Sequence, residues 1–304
     1  MELVRKLIFI SLFASQLAFA APLLPLPGPP RSPENPGSKI YPYEYTQTSI
    51  NCGGRDVVVF LPKSETGAKK QFPVIVFGHG QATNLSNYEA DFVHLARKGA
   101  AIIFPIYDNG FFDQDWKRMG HDYDDLTDCA LHQFSDSMNR NEVIYSGHSK
   151  GGYIALAAAG TPEPKVKPKA LVVFEPAGYV EENLKNFDPK LPVTLVWSEA
   201  DTIVSRALVH EVYNKLQVTH KQFLTLKNYS TTDPKMDADH YYPMSKGFFG
   251  QSQENPFQYY NVWKLLLGAK ADIEAGSPHT NTYIYGAQAV EKGIPDLKDL
   301  IERN

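Results

Sequence analysis

Tyr145-Ser146-Gly147-His148-Ser149-Lys150-Gly151-Gly152 is a short turn between an apolar run and an alanine-rich run, and it limits the fold more than any other stretch. Its core, Gly147-His148-Ser149-Lys150-Gly151, fills the G-x-S-x-G pattern of a nucleophile elbow, a sharp strand-to-helix turn that pushes a serine hydroxyl out of the end of a sheet. Crowding at such a turn leaves no room for a β-carbon on either side of the serine, and the following glycine lets the helix pack close to the strand. The pattern carries weight only between a buried strand and a helix. Residues 142–146 read as the strand and residues 153–159 as the helix, so Ser149 is the expected nucleophile.

Around this turn, apolar runs and amphipathic segments alternate. Strands are expected over residues 43–50, 55–61, 72–77, 100–106, 169–174, 191–197 and 222–226, with helices over 88–98, 124–134, 206–216 and 256–267. That alternation predicts an α/β fold with a mostly parallel central sheet covered by helices on both faces. The interval between Phe174 and Leu191 is too short for a large lid domain, so an open site is expected. A chain of 304 residues with 43% hydrophobic content can bury the core of one such domain, placed at residues 40–304. The net charge of −4, without a basic stripe, gives no electrostatic reason to expect nucleic acid.

The N-terminus reads as a targeting segment. Arg5 and Lys6 precede an apolar stretch over residues 7–17, and Ala18-Phe19-Ala20 supplies a small-x-small cleavage signal. Residues 1–20 are therefore expected to be removed after about Ala20, giving a secreted or periplasmic protein. The stretch is short for a membrane span, so no stable insertion is expected. Residues 21–39, dense in proline and glycine, read as an extended linker. In an oxidising compartment Cys52 and Cys129 form either one disulfide or two buried thiols; with no C-x-x-C pair, no metal or redox cofactor is expected.

A serine hydroxyl needs a base to take its proton and a buried acid to orient the base; in a fold built on an elbow of this kind the chain order is Ser, acid, His. After the apolar run Pro192-Val-Thr-Leu-Val-Trp197, the loop Ser198-Glu199-Ala200-Asp201 offers two acids. Asp201 is preferred for its distance past the strand, with Glu199 as the alternative. His79, His94, His121, His132 and His148 precede Ser149, His210 lies in a helix, and His220 comes before the last strand. His240 remains as the base, with His279 as the alternative. The strand 72–77 runs into Gly78-His79-Gly80-Gln81, where the backbone N–H of Gln81 is positioned to pair with that of Lys150 around a developing oxyanion. Thr83 stands where a dinucleotide fingerprint needs its third glycine.

The loop over residues 107–116 offers Phe111, Phe112 and Trp116 as substrate-groove candidates. The acidic run at residues 121–125 reads as the opening of the helix 124–134 rather than as a cation site. Lys150 is out of place: a cation at a helix N-terminus is disfavoured, so a solvated or salt-bridged side chain, or contact with an acidic partner or polar substrate group, is expected.

Val74-Ile-Val-Phe-Gly-His-Gly80, the elbow, the Ser198–Val204 loop and the Asp239-His240 turn together resemble the α/β-hydrolase superfamily. Within it, their order and spacing are similar to lidless secreted esterases related to dienelactone hydrolases, cutinase-like polyester hydrolases and chlorophyllases. The resemblance implies a Ser149, Asp201, His240 triad with Gln81 and Lys150 as backbone donors. It also implies serine hydrolase action on a small-molecule or lipid-like carboxylic ester, without a cofactor. Acyl transfer to another acceptor and a non-catalytic binding protein on the same fold are the alternatives.

Overall fold

The computed structural model describes residues 24–64, 70–110, 112–178, 184–229, 232–247, 254–276 and 301–303. The expected targeting segment, residues 1–20, lies outside them.

Strand β1 (Tyr45–Cys52) pairs antiparallel with β2 (Arg55–Pro62), the chain reversing through Gly53 and Gly54, both at positive φ. Then β3 (Phe72–Gly78), β4 (Ala101–Pro105), β5 (Met138–His148), β6 (Ala170–Phe174), β7 (Val193–Ser198) and β8 (Lys221–Leu226) run parallel. The eight strands lie in the order β1-β2-β4-β3-β5-β6-β7-β8, and a short antiparallel β9 (Ile301–Arg303) adds to the β8 edge. The central strands are buried on both faces, as parallel strands under crossover helices must be.

Side chains of these strands alternate between two cores. Val74, Val76, Val143, Tyr145, Leu171 and Val173 face the layer that holds α2 (Trp116–Gln133), α3 (Lys150–Ala159) and α4 (Arg206–Lys215). Ile75, Phe77, Ile144, Ala170, Val172 and Phe174 face α1 (Glu89–Arg97) and α5 (Trp263–Glu274), the latter continuing a π-helical turn at Gln258–Val262. This period of two is what strands sandwiched between helical layers require. No helix among the described residues is long and apolar enough to cross a membrane.

Two findings depart from the sequence expectations, and a third decides between two alternatives that the sequence left open. First, helix α2 begins at Trp116, well before residue 124. Asp115 caps it by accepting from the Arg118 N–H at 3.0 Å, and Arg118 pairs with Asp113 and Asp122. The acidic run 121–125 therefore lies inside the helix. Its Asp124 is buried and accepts from the Tyr145 hydroxyl at 2.8 Å and from the N–H groups of Lys165 and Val166, which fastens α2 to β5 and to the loop before β6.

Second, the proline-rich segment packs down where an extended tether was expected. The Gly28 carbonyl accepts from the Tyr260 hydroxyl at 2.7 Å, the Pro36 carbonyl meets His94 Nε2 at 2.8 Å, and Lys98 Nζ reaches the carbonyls of Pro33 and Asn35 and the Ser38 hydroxyl. Third, Cys52 and Cys129 are joined as a disulfide with their Cα atoms 6.2 Å apart, linking the end of β1 to the last turns of α2.

Candidate functional site

At the C-terminal end of β5 the chain turns directly into α3, and Ser149 sits at the turn with φ +55° and ψ −124°. Few non-glycine residues adopt such a conformation, and holding one costs on the order of 1–3 kcal/mol. Three backbone bonds keep it there: the Ser149 N–H donates to the Phe174 carbonyl at 2.9 Å, and its carbonyl accepts from Tyr153 and Ala177. The flanking glycines are required by contact. A β-carbon on Gly78 would stand 2.7 Å from the Gly151 carbonyl oxygen, and one on Gly147 or Gly151 would come closer still to backbone. Strand β3, the elbow and helix α3 thus touch backbone to backbone. The other two described non-glycine residues at positive φ, Ala82 and Glu175, belong to the two loops beside Ser149, so strain is concentrated here.

Ser149, His240 and Asp201, which come from three different loops, meet in one line. Ser149 Oγ lies 3.0 Å from His240 Nε2, and His240 Nδ1 lies 2.8 Å from Asp201 Oδ2. All three are buried. Asp201 Oδ1 accepts the N–H groups of Ile203 and Val204 at 2.7 and 2.8 Å, so the carboxylate is held by its own loop while its other oxygen faces the imidazole. The alternative acid Glu199 points away and accepts the Asn228 N–H; His279 lies outside the described residues.

Gln81 follows the short loop off β3, and Lys150 is the first residue of α3, where backbone N–H groups have no partner within the helix. The peptide joining Gly80 to Gln81 is gripped by its carbonyl: the oxygen takes the Thr83 hydroxyl at 2.7 Å and faces His79 Nδ1 at 3.0 Å. A trans peptide points its N–H opposite its carbonyl, so this grip fixes the direction of the Gln81 N–H. The Lys150 side chain is buried, with Nζ 3.4 Å from Asp108 Oδ2 and 3.0 Å from the Asp113 carbonyl. The acidic partner anticipated for it is Asp108, and the pair ties the loop after β4 to the elbow.

Of the groove candidates, Trp116 stands edge-on to Tyr153 of α3 at 5.5 Å, Phe112 is 89% exposed, and Phe111 lies outside the described residues.

The sequence reading missed Glu175. It follows β6 directly, is fully buried, and sets Oε2 3.5 Å from His240 Nδ1 and 3.6 Å from His148 Nε2, while Oε1 takes the Ser198 hydroxyl. Burial first, and then the negative charge of Asp201, pushes its carboxyl well above the usual carboxylate range. The signal was available: Ala170-Leu-Val-Val-Phe174 is an apolar strand that ends in an acid, as the strand before Asp201 nearly does. His148 was set aside for its place in the chain order; burial, and then the charge of neighbouring His240, holds its pKa far below the usual histidine range, so it is neutral.

His148, Glu175 and His240 present nitrogen and oxygen atoms within 4.8 Å of one another, a grouping able to attract a cation. The two imidazoles already direct these nitrogens at the His240 carbonyl and at Asp201, so the cluster reads as a hydrogen-bond network.

Compared with protein-family models and with curated proteins, the sequence matches none, and the functional reading rests on this geometry.

Proposed function

We propose that this protein is a serine hydrolase of the α/β-hydrolase type that cleaves carboxylic esters through an acyl-enzyme. The observation that carries the reading is the buried Ser149, His240, Asp201 line ending on a serine held at positive φ. The strand order, with the elbow after β5 and the acid and base after β7 and β8, supports it.

In this reading His240 Nε2 accepts the proton of Ser149 as Oγ attacks the ester carbonyl. Asp201 keeps the Nδ1 proton in place and stabilises the imidazolium that forms. The N–H groups of Gln81 and Lys150 meet the oxyanion, and preorganised donors of this kind contribute about 2.7–4 kcal/mol each to transition-state stabilisation. His240 then protonates the departing alkoxide, and water attacks the acyl-enzyme with the proton transfers reversed. Export to an oxidising compartment is part of the proposal, and the Cys52–Cys129 disulfide supports it.

Ser149→Ala is expected to lower kcat on a short p-nitrophenyl ester by at least about 10⁴-fold and to abolish labelling by a fluorophosphonate. A fully active Ser149→Ala protein overturns the proposal.

A further inference from the structure

Tyr88 and His148 take no part in the proton transfers proposed above, yet both are completely enclosed and joined to the machinery at each end. The Gly80 N–H donates to Tyr88 Oη at 3.1 Å. Tyr88 Oη lies 2.9 Å from His148 Nδ1, and His148 Nε2 lies 2.8 Å from the backbone carbonyl of His240. One continuous run of hydrogen bonds therefore starts one residue before Gln81, passes through the residue before Ser149, and ends on the backbone of the base.

The chemistry of the end groups sets the direction of every bond. The His240 carbonyl only accepts, so the proton on His148 must sit on Nε2. A neutral imidazole has one N–H, so Nδ1 is bare and accepts. The Tyr88 phenol, already accepting from Gly80, gives its own proton to Nδ1. Thr83 Oγ1, 3.2 Å from Tyr88 Oη, spends its proton on the Gly80 carbonyl, so it does not compete as a donor. Burial raises the pKa of the phenol and lowers that of the imidazole, and both shifts preserve this arrangement. A proton added to Nδ1 would set two donors face to face in an enclosed site.

We propose that Tyr88 and His148 act as a strut of fixed tautomer, setting the spacing between the Gln81 N–H, Ser149 and His240. They are positioning residues, acting through the backbone of the groups that touch substrate. The proposal rests on the reading of Ser149 as a nucleophile.

Two measurements test it. In protein carrying ¹⁵N-histidine, His148 is expected to show a protonated Nε2 and an unprotonated Nδ1 across neutral pH. A protonated Nδ1 overturns the strut whether or not the protein has activity. The kinetic arm begins with fluorophosphonate labelling of the wild type. If the wild type does not label, the nucleophile reading falls and the nitrogen measurement alone decides the strut.

Given labelling, Tyr88→Phe leaves the Gly80 N–H and His148 Nδ1 without their partner. The expected result is a kcat lower by roughly ten- to a hundredfold, with KM within about twofold. His148→Gln keeps a donor near the Nε2 position and loses the acceptor for Tyr88. Combined with Tyr88→Phe it is expected to cost little more than Tyr88→Phe alone, because the two act as one unit. A Tyr88→Phe enzyme with kcat within twofold of wild type, or additive losses in the double variant, overturns the proposal. Should Tyr88→Phe fail to fold, the nitrogen measurement still decides.

Discussion

Two carboxyl groups stand beside Nδ1 of His240, one at the end of β7 and one at the end of β6, and their surroundings differ. Asp201, at 2.8 Å, receives two backbone N–H groups from its own loop. Glu175, at 3.5 Å, receives one hydroxyl, from Ser198, and its Oε2 accepts from no donor among the described residues. Two like charges this close in an enclosed space are strongly disfavoured. The negative charge therefore settles where donors already wait for it, on Asp201, and Glu175 keeps its proton. Supply of backbone N–H groups, rather than acid type or nearness to the strand end, distinguishes the two regions.

Removing both acids breaks this arrangement most severely. Asp201→Asn together with Glu175→Gln is expected to lower kcat by about 10⁴-fold, as expected when the base loses its acid and the correct tautomer. Asp201→Asn alone is expected to fall short of that loss by about tenfold. With the like charge gone, Glu175 can ionise and accept from Nδ1; equal losses in the two variants would mean that Glu175 cannot stand in.

Glu175→Gln alone is expected to cost no more than about tenfold in kcat, the size of one perturbed buried hydrogen bond. Its clearer effect is on stability against pH. Below the ordinary carboxyl value of 4.5 folded and unfolded chains both carry the proton, and the folded state keeps its full advantage. As pH rises the unfolded chain loses that proton while the native Glu175 retains it. The contribution thus declines, by up to about 1.4 kcal/mol per pH unit, until the raised native group itself titrates. Denaturant titrations at several pH values should show a steeper decline for wild type than for Glu175→Gln; parallel curves would place the charge on Glu175 after all.

The smallest expected effect belongs to the third acid. Glu199→Gln, on the exposed side of the Asp201 loop, should leave kcat within about twofold, and a larger loss would return it to consideration as the acid.

What the sequence made legible follows the same physics. Ser149 and Asp201 were readable because each lies just past an apolar run, and His240 because chain order set aside most of the other histidines; the parallel order of β5, β7 and β8 carries the loops that hold all three to one edge of the sheet. The start of α2 was only partly legible. Asp115, which accepts the Arg118 N–H, is a local cap signal that was passed over, and further support for the first turns comes from outside the helix, where Arg118 reaches the Tyr107 carbonyl and Arg55 of β2 pairs with Asp122. The packing of residues 24–39 was hidden for a related reason: proline-rich composition predicts little core of its own, whereas here other elements supply the partners, chiefly His94, Lys98 and Tyr260. His148 escaped notice because chain order excluded it as a base, and order is silent about residues that hold other residues in place.

The disulfide divides the site in a way that the sheet does not. Its covalent ring, from Cys52 to Cys129, contains Gly80, Gln81, Tyr88 and Asp108; Ser149, Glu175, Asp201 and His240 all lie on open chain beyond it. One of the two proposed oxyanion donors, Gln81, thus lies within the covalent ring, while the other, Lys150, and the groups that would move protons lie outside it and meet the ring through packing and hydrogen bonds. In the chain-entropy model, closing a loop of this length is worth about 4.5 kcal/mol. A reductant opens only this ring, so any effect it has on Ser149 and His240 passes through contacts that cross the ring's boundary, among them Tyr88 to His148, Asp124 to Tyr145 and Asp108 to Lys150.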